Sequence, residues 1–331
     1  MRSLTSLFLL SFAVAACGAG APPAEMSAPS ARSGALDSSN GRSLNGRSLN
    51  GRSLNGRSLN GRSLNGVSLN GRSLNGRSLN GISLTGSQLV GVNSNGQPLA
   101  GAQLEGAEFD GILDDGSTLP IRIDDVWTGT DANSDVWFYD VSYQTDGGWQ
   151  PLCGSEGNGD PVAAVALAGT WDYSEGTSTG GSWIPSSTVF TFGCRHTALA
   201  KCVEMGYKPW SSYQGESLRN YHQACTRLIR ADYCGNGRSW TLDGRMIDLY
   251  DALGVQKDTE RWTFEAEWTG SGARCLSGMR VIDLKNVFGV VDQCVLSKAL
   301  NLGCGSPWHF ATGTLLMDEY RDQNLLGIIN L

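Results

Sequence analysis

The chain has 331 residues, of which 40% are hydrophobic and 17% charged, with nine cysteines and a formal net charge of −7 at pH 7. That length is ample for a sizeable core. The acidic balance, with no Walker loop, Rossmann fingerprint or basic nucleic-acid fold, sets aside nucleotide-driven enzymes and nucleic-acid binders.

Residues 1–16 read as an export signal. Arg2 supplies a short positive region, and Leu4 to Ala16 form an apolar stretch too short to span a bilayer as a stable helix. The stretch ends Val14-Ala15-Ala16-Cys17, which resembles a bacterial lipobox. Under that reading the signal is cut before Cys17, whose thiol carries diacylglycerol and whose new amine is acylated. Several acyl chains on one cysteine hold a protein to a membrane without any transmembrane helix. The other reading is an ordinary signal that contains a cysteine. Gly18, not Asp, follows Cys17, so an inner-membrane retention signal is missing and the expected address is the outer membrane, facing the periplasm or the cell surface.

Setting Cys17 aside leaves Cys153, Cys194, Cys202, Cys225, Cys234, Cys275, Cys294 and Cys304. An even set in an exported chain reads as four disulfides, and spacing does not choose among the connectivities. Cys194-Arg195-His196 with Cys202 nearby also has the ingredients of a zinc site or a Cys-His pair. An oxidising compartment argues for bridges instead, so neither metal nor cofactor is expected.

Residues 17–41 are small, Pro-containing and polar, a flexible tether. Residues 42–111 hold fourteen pentads of the type Arg-Ser-Leu-Asn-Gly, ending in Ala102-Gln-Leu-Glu-Gly106 and Ala107-Glu-Phe-Asp-Gly111. The pattern resembles pentapeptide-repeat proteins, in which a central Leu or Phe and a small residue two places earlier point into a square β-helix. Arg42, Arg47, Arg52, Arg57, Arg62, Arg72 and Arg77 occupy that second position here. An inward guanidinium costs several kcal/mol, more than the roughly 1.5–3 kcal/mol a buried Leu returns. The arginine pentads therefore read as extended or disordered, with β-helical order expected only towards residues 82–111. Removing their seven charges from −7 leaves −14 on the remainder, so this basic segment suits an anionic envelope surface such as lipid or lipopolysaccharide, or serves as a solubilising spacer.

Residues 112–331 read as an α+β globular domain stapled by disulfides. Ser117–Val126, Val136–Tyr143, Ser187–Phe192 and Arg261–Trp268 carry strand patterns, separated by Asp-Gly and Gly-Gly turns. Helical spacing appears in Leu199, Cys202 and Val203, in Leu218, Tyr221, Cys225, Leu228 and Ile229, and in Val291, Cys294, Val295 and Leu300. Cysteines on these apolar faces predict bridges that tie the helices to their surroundings.

Two stretches carry a specific resemblance. Cys194-Arg-His-Thr-Ala-Leu-Ala-Lys-Cys202 runs on to Pro209-Trp210, and Gln223-Ala-Cys-Thr-Arg227-Leu-Ile-Arg230-Ala-Asp-Tyr-Cys234 runs on to Asp243-Gly244. Together with Trp268-Thr-Gly-Ser-Gly-Ala-Arg-Cys275 they resemble the ADYC domain of myxobacterial and related secreted proteins, over roughly residues 107–310. The resemblance implies an exported protein, often with a lipobox and Leu-Asn-Gly repeats upstream. It brings no established activity.

Motifs that could carry chemistry are weak. Gly176-Thr-Ser178-Thr-Gly180 matches G-x-S-x-G, with Asp232 and His309 following in hydrolase order, but Gly181 and Pro185 stand where a helix should begin. Asp131-Ala-Asn133-Ser-Asp135 starts like a calcium loop and then lacks its Gly and Glu. Asp243, Asp248 and Asp251 read as turn and cap acids, His222 as a core histidine, and His309 as a loop residue without a partner. Tryptophans such as Trp149, Trp171, Trp183, Trp210 and Trp240 suit a core or a glycan platform. The first reading is thus a lipid-anchored envelope protein, attached to the membrane through Cys17, that binds a protein or glycan or plays a structural part. The alternative is an exported hydrolase using Ser178 or a histidine with an aspartate.

Overall fold

A computed structural model describes residues 81–93, 95–113, 118–171, 181–187, 189–241, 245–280, 293–300 and 303–321, together with the backbone of four upstream strand segments, 36–38, 53–54, 57–58 and 64–74. Among these residues the fold is mixed and rich in sheet, with few helices. Three helices matter below: α1 (Ala198–Glu204), α2 (Leu218–Ile229) and α3 (Gln293–Ala299).

Seven strands build the first unit: β1 (Leu64–Leu74), β2 (Ala107–Leu113), β3 (Thr118–Thr128), β4 (Trp137–Thr145), β5 (Gly148–Pro151), β6 (Ala164–Ala168) and β7 (Val189–Cys194). The antiparallel pairings run β4, β6, β7, β1, β2, β3 and return to β4, with β5 beside the far end of β4. The sheet therefore closes on itself, which leaves few strand edges unpaired.

Alternation along the strands explains the filling. Ile121 and Ile123 on β3, Tyr139, Val141 and Tyr143 on β4, and Phe190 and Phe192 on β7 all join one core with Phe109. On β6 every second residue, Ala164 and Ala166, faces that core, whereas Ala163, Val165 and Leu167 join Leu199, Ala200 and Val203 of α1 on the other side. Gly193 lets α1 come this close, because a Cβ there would lie 3.0 Å from Leu199 Cβ.

The last pentads belong to this unit, and residues 82–100 depart from the expected β-helix. Ile82–Thr85, Gln88–Val92 and Pro98–Ala100 form an antiparallel meander, turning at Gly86 with φ +62°. A β-helix stacks its strands in parallel; here hairpin turns fold each strand back on the last. Ile82, Leu89, Leu104 and Ala107 are core residues, and Tyr139 ties the meander down by accepting from Leu89 N at 2.8 Å and donating to Ser87 O at 2.9 Å. Of the arginine pentads only backbone strand segments are described; their expected extended or disordered state lies otherwise outside the described residues.

The second unit is an antiparallel sheet of β8 (Arg245–Asp251), β9 (Thr263–Thr269), β10 (Gly272–Leu276) and β11 (Leu316–Tyr320), with Leu36–Ser38 at its edge. The order is Leu36–Ser38, β8, β11, β9, β10. Helix α2 lies on this sheet, burying Leu218, Ala224, Cys225, Leu228 and Ile229 against Ile247, Leu249, Ala266 and Trp268. Ser217 caps the helix by accepting from Arg219 N, and Ala231, at φ 51°, ends it in the left-handed conformation that glycine more often supplies.

The cysteines lie in four pairs at disulfide geometry: Cys153 with Cys194, Cys202 with Cys225, Cys234 with Cys294, and Cys275 with Cys304, at Cα separations of 5.5, 5.8, 5.9 and 5.8 Å. The second joins α1 to α2, and so the barrel side of the molecule to the sheet side.

Candidate functional site

The stretch Ala231-Asp232-Tyr233-Cys234 follows α2 directly, and three of its four residues are wholly buried. Asp232 accepts from Arg227 Nη1 at 2.5 Å, from Gly237 N at 2.9 Å and from Asn236 N at 3.1 Å, so one carboxylate pairs with the helix and shapes the following turn. Arg230 donates to the Gly237 carbonyl of that turn. Tyr233 stacks on Trp268 with ring centroids 5.5 Å apart and donates to Glu265 Oε1 at 2.5 Å. Cys234 bridges to Cys294.

Behind Tyr233 lies a buried ionic cluster. Arg280 Nε reaches both Glu265 oxygens at 2.8 Å, and its Nη2 donates to Asp318 Oδ2 at 2.8 Å and to Leu228 O at 3.0 Å. Trp268 Nε1 donates to the other Asp318 oxygen at 2.7 Å. Burial, and then the Glu265 carboxylate, push the Asp318 carboxyl well above its usual range, against the pull of Arg280.

A family model described as ADYC domain matches residues 101–281, more than half of the chain. The chain belongs to the ADYC domain family. No curated protein and no solved structure matches it. In this ADYC domain the four residues of the name are spent on helix termination, a turn, a stacked core and a bridge. None of them presents a reactive group to solvent.

Close packing around the motif extends to backbone. A Cβ on Gly272, whose φ is +106°, would lie 2.6 Å from Gly235 N and 2.8 Å from Tyr233 O. Gly254 has φ +79° with nothing within 4 Å. Gly254→Ala should therefore cost about 1 kcal/mol through backbone strain alone, and Gly272→Ala roughly 2 kcal/mol more. Equal urea midpoints for the two variants would refute the clash.

The structure separates the residues that sequence reading had grouped. Cys194 and Cys202 bridge to different partners, and His196, with φ 66°, meets Glu156 at 2.7 Å on the surface. Asp131-Ala-Asn133 is a single helical turn, and Asp135 pairs with Lys208. Asp251 accepts from the backbone of Leu253, Gly254 and Gln256 and from Tyr207 Oη, and Asp248 from Thr259 N and Glu260 N, as turn acids do. Trp171 and Trp240 are core, whereas Trp308 is 83% exposed. Ser178 and Asp243 lie outside the described residues.

His222 is buried, its Nε2 3.0 Å from the Leu199 carbonyl and its ring beside Trp171. Burial pushes its pKa down to about 3, opposed by that hydrogen bond and helped by Arg219. The folded value lies below the unfolded value of about 6.5, so the stabilisation is complete above the unfolded pKa and is lost as pH falls toward the folded one, at about 1.4 kcal/mol per unit. Across roughly pH 5.5 to 4.5, His222→Gln should lose about 1.4 kcal/mol less than the parent; parallel stability curves would refute this.

His309 corrects the expectation of a loop residue without a partner. Its Nδ1 lies 2.6 Å from Glu267 Oε1, a carboxylate that also accepts from Gly305 N at 2.7 Å and Thr314 Oγ1 at 2.8 Å. Burial pushes the Glu267 carboxyl up, but hydrogen bonds from His309, Thr314 and Gly305 outweigh it and hold the pKa below its ordinary value. Asp232, paired with Arg227, is not the partner of His309. The signal for this pair is invisible in sequence, because its members are 42 residues apart. Glu267, Cys275 and Cys304 bring three ligand atoms within 4.8 Å of one another, but the two sulfurs are bonded together, which leaves no thiolate for a metal.

Proposed function

We propose that the chain is an exported, lipid-anchored envelope protein whose ADYC domain is a disulfide-stapled module for binding or structural display. The observation that carries this reading is cysteine use. Eight sulfurs pair among themselves, and the ninth, Cys17, sits in Val14-Ala15-Ala16-Cys17 behind an apolar export-type stretch. Four bridges suit an oxidising compartment. Burial of the motif residues supports a scaffold rather than a reaction centre. In this reading the membrane partner is reached through the lipid on Cys17, and the arginine pentads rest against the anionic envelope surface.

Intact-mass and N-terminal analysis of the membrane-extracted protein tests it. The mature chain should begin at acylated Cys17 and carry no free thiol, and Cys17→Ala should release it from the membrane fraction. An unprocessed chain with reduced cysteines in the cytosol would refute the proposal.

One observation favours the hydrolytic alternative: the buried Glu267 carboxylate holds His309 by one ring nitrogen, as a base is oriented in acyl-transfer sites. Among the described residues no serine or cysteine nucleophile accompanies the pair in a hydrogen bond. A serine-reactive probe should leave the folded chain unlabelled. Labelling that His309→Ala abolishes would replace the binding reading with the hydrolytic one.

A further inference from the structure

Several buried and partly buried cations in this domain face acids. Arg195 meets Glu204, Lys208 meets Asp135, Arg227 meets Asp232, and Arg280 meets Glu265 and Asp318. Arg219 does not. Its guanidinium carbon lies 3.9 Å from the centre of the Trp183 ring, and its Nη1 is shut off from water without a hydrogen-bond partner. The rest of the side chain keeps part of its surface in solvent. Burial pulls its pKa down to about 10.

The Trp183 platform is held from two sides. Its indole N–H donates to Ala168 O at 2.8 Å, and its backbone N–H donates to Gln223 Oε1 at 3.2 Å. Gln223 in turn accepts from Trp171 Nε1 at 3.2 Å and donates to Gly181 O at 3.1 Å. The ring beneath Arg219 is therefore fixed by α2 and by the strand before it. Next along the chain, Ile184 is 47% exposed and Pro185 is also exposed.

A partly desolvated guanidinium without a counter-charge is poorly stabilised by the protein itself. Nη1 is closed off, but the Nε–Nη2 edge is not, and its two donors match the two oxygens of a carboxylate or phosphate, with an aromatic face beneath to keep that edge oriented. We propose that Arg219, seated on Trp183, is a binding point for an oxyanion, the phosphate or carboxylate group of a ligand in the envelope. The proposal deepens the binding reading and rests on it only for the ligand's source, since the site itself is testable on purified chain.

The test uses the full chain in detergent and follows thermal unfolding with inorganic phosphate, with glucuronate, and with sodium chloride at matched ionic strength. A ligand bound only by the folded state raises the midpoint by mass action, by about 2–4 °C at roughly five times its dissociation constant. The expected result is a rise with phosphate, glucuronate or both beyond that with chloride, absent in Arg219→Met and reduced in Arg219→Lys, which keeps charge and loses the fork. The anion-free midpoint of Arg219→Met should equal or exceed the parent's, because an unpaired charge has been removed. No rise beyond chloride in the parent chain overturns the proposal, whether or not the variants fold. An equal rise in Arg219→Met, or a lower anion-free midpoint with no anion effect in the parent, does the same and assigns Arg219 to packing. None of these outcomes bears on acylation of Cys17.

Discussion

Arg280→Met is expected to destabilise the ADYC domain by about 3–5 kcal/mol, more than any other single substitution proposed for it. The guanidinium is wholly buried, makes two hydrogen bonds to Glu265 and one to Asp318, and holds the Leu228 carbonyl of α2. Methionine fills much of the space but strands a buried carboxylate whose remaining partners, such as Tyr233, are neutral. Removing one partner of a buried ion pair typically costs about 3–5 kcal/mol, a large share of the roughly 5–15 kcal/mol that holds a domain together. Asp318→Asn should be milder, about 1–3 kcal/mol, because the amide oxygen still accepts from Trp268 while an NH2 in place of Oδ2 loses the bond from Arg280. The sign for Asp318 runs opposite to that of an ordinary paired aspartate. Its folded pKa is raised, so its contribution is largest below the unfolded value and is lost as pH rises through the folded one. Urea unfolding at neutral pH decides the matter: an Arg280→Met midpoint within error of the parent's would show that the cluster adds nothing to stability.

Loss of the bridge between Cys202 and Cys225 should come next in size. Both sulfurs are fully buried at the contact of α1 with α2, 23 residues apart in sequence. Cross-linking a loop of that length is expected to stabilise by about 3 kcal/mol, mainly by restricting the unfolded chain. The double variant Cys202→Ala with Cys225→Ala avoids a stray thiol and should lower the unfolding free energy by about that amount, plus about 1 kcal/mol for the volume lost. An unchanged midpoint would mean that packing alone holds the two helices. Full reduction of the parent chain should destabilise it further, since three more bridges open.

What could be read from sequence follows physical rules that the structure makes plain. Strands β3, β4, β7 and β9 were legible because they alternate or concentrate aromatic and branched residues, and α2 because one of its faces is apolar at helical spacing. Strand β6, Ala-Val-Ala-Leu-Ala, was not: both of its faces are buried, one inside the barrel and one under α1, so no alternation marks it. Strand β11 was not legible either: it holds the adjacent acids Asp318 and Glu319, and Asp318 becomes a core residue only when Arg280 is brought across from 38 residues away. The last pentads were expected to be β-helical because their repeat continues the pattern, yet Leu89, Leu104 and Phe109 join the barrel core. Cysteine participation could be inferred from an even count. Their partners, and the pairing of His309 with Glu267, needed the fold.

The connectivity sorts the cysteines into two kinds. Cys153 with Cys194 and Cys202 with Cys225 each join neighbours in line, whereas the final four interleave, Cys234 skipping Cys275 to reach Cys294, and Cys275 skipping Cys294 to reach Cys304. If an external disulfide oxidant linked the thiols pairwise in chain order, the first two links would form correctly and Cys234 would be left on Cys275. From that arrangement the interleaved pairing of the folded chain is reached only by thiolate exchange between the two bridges.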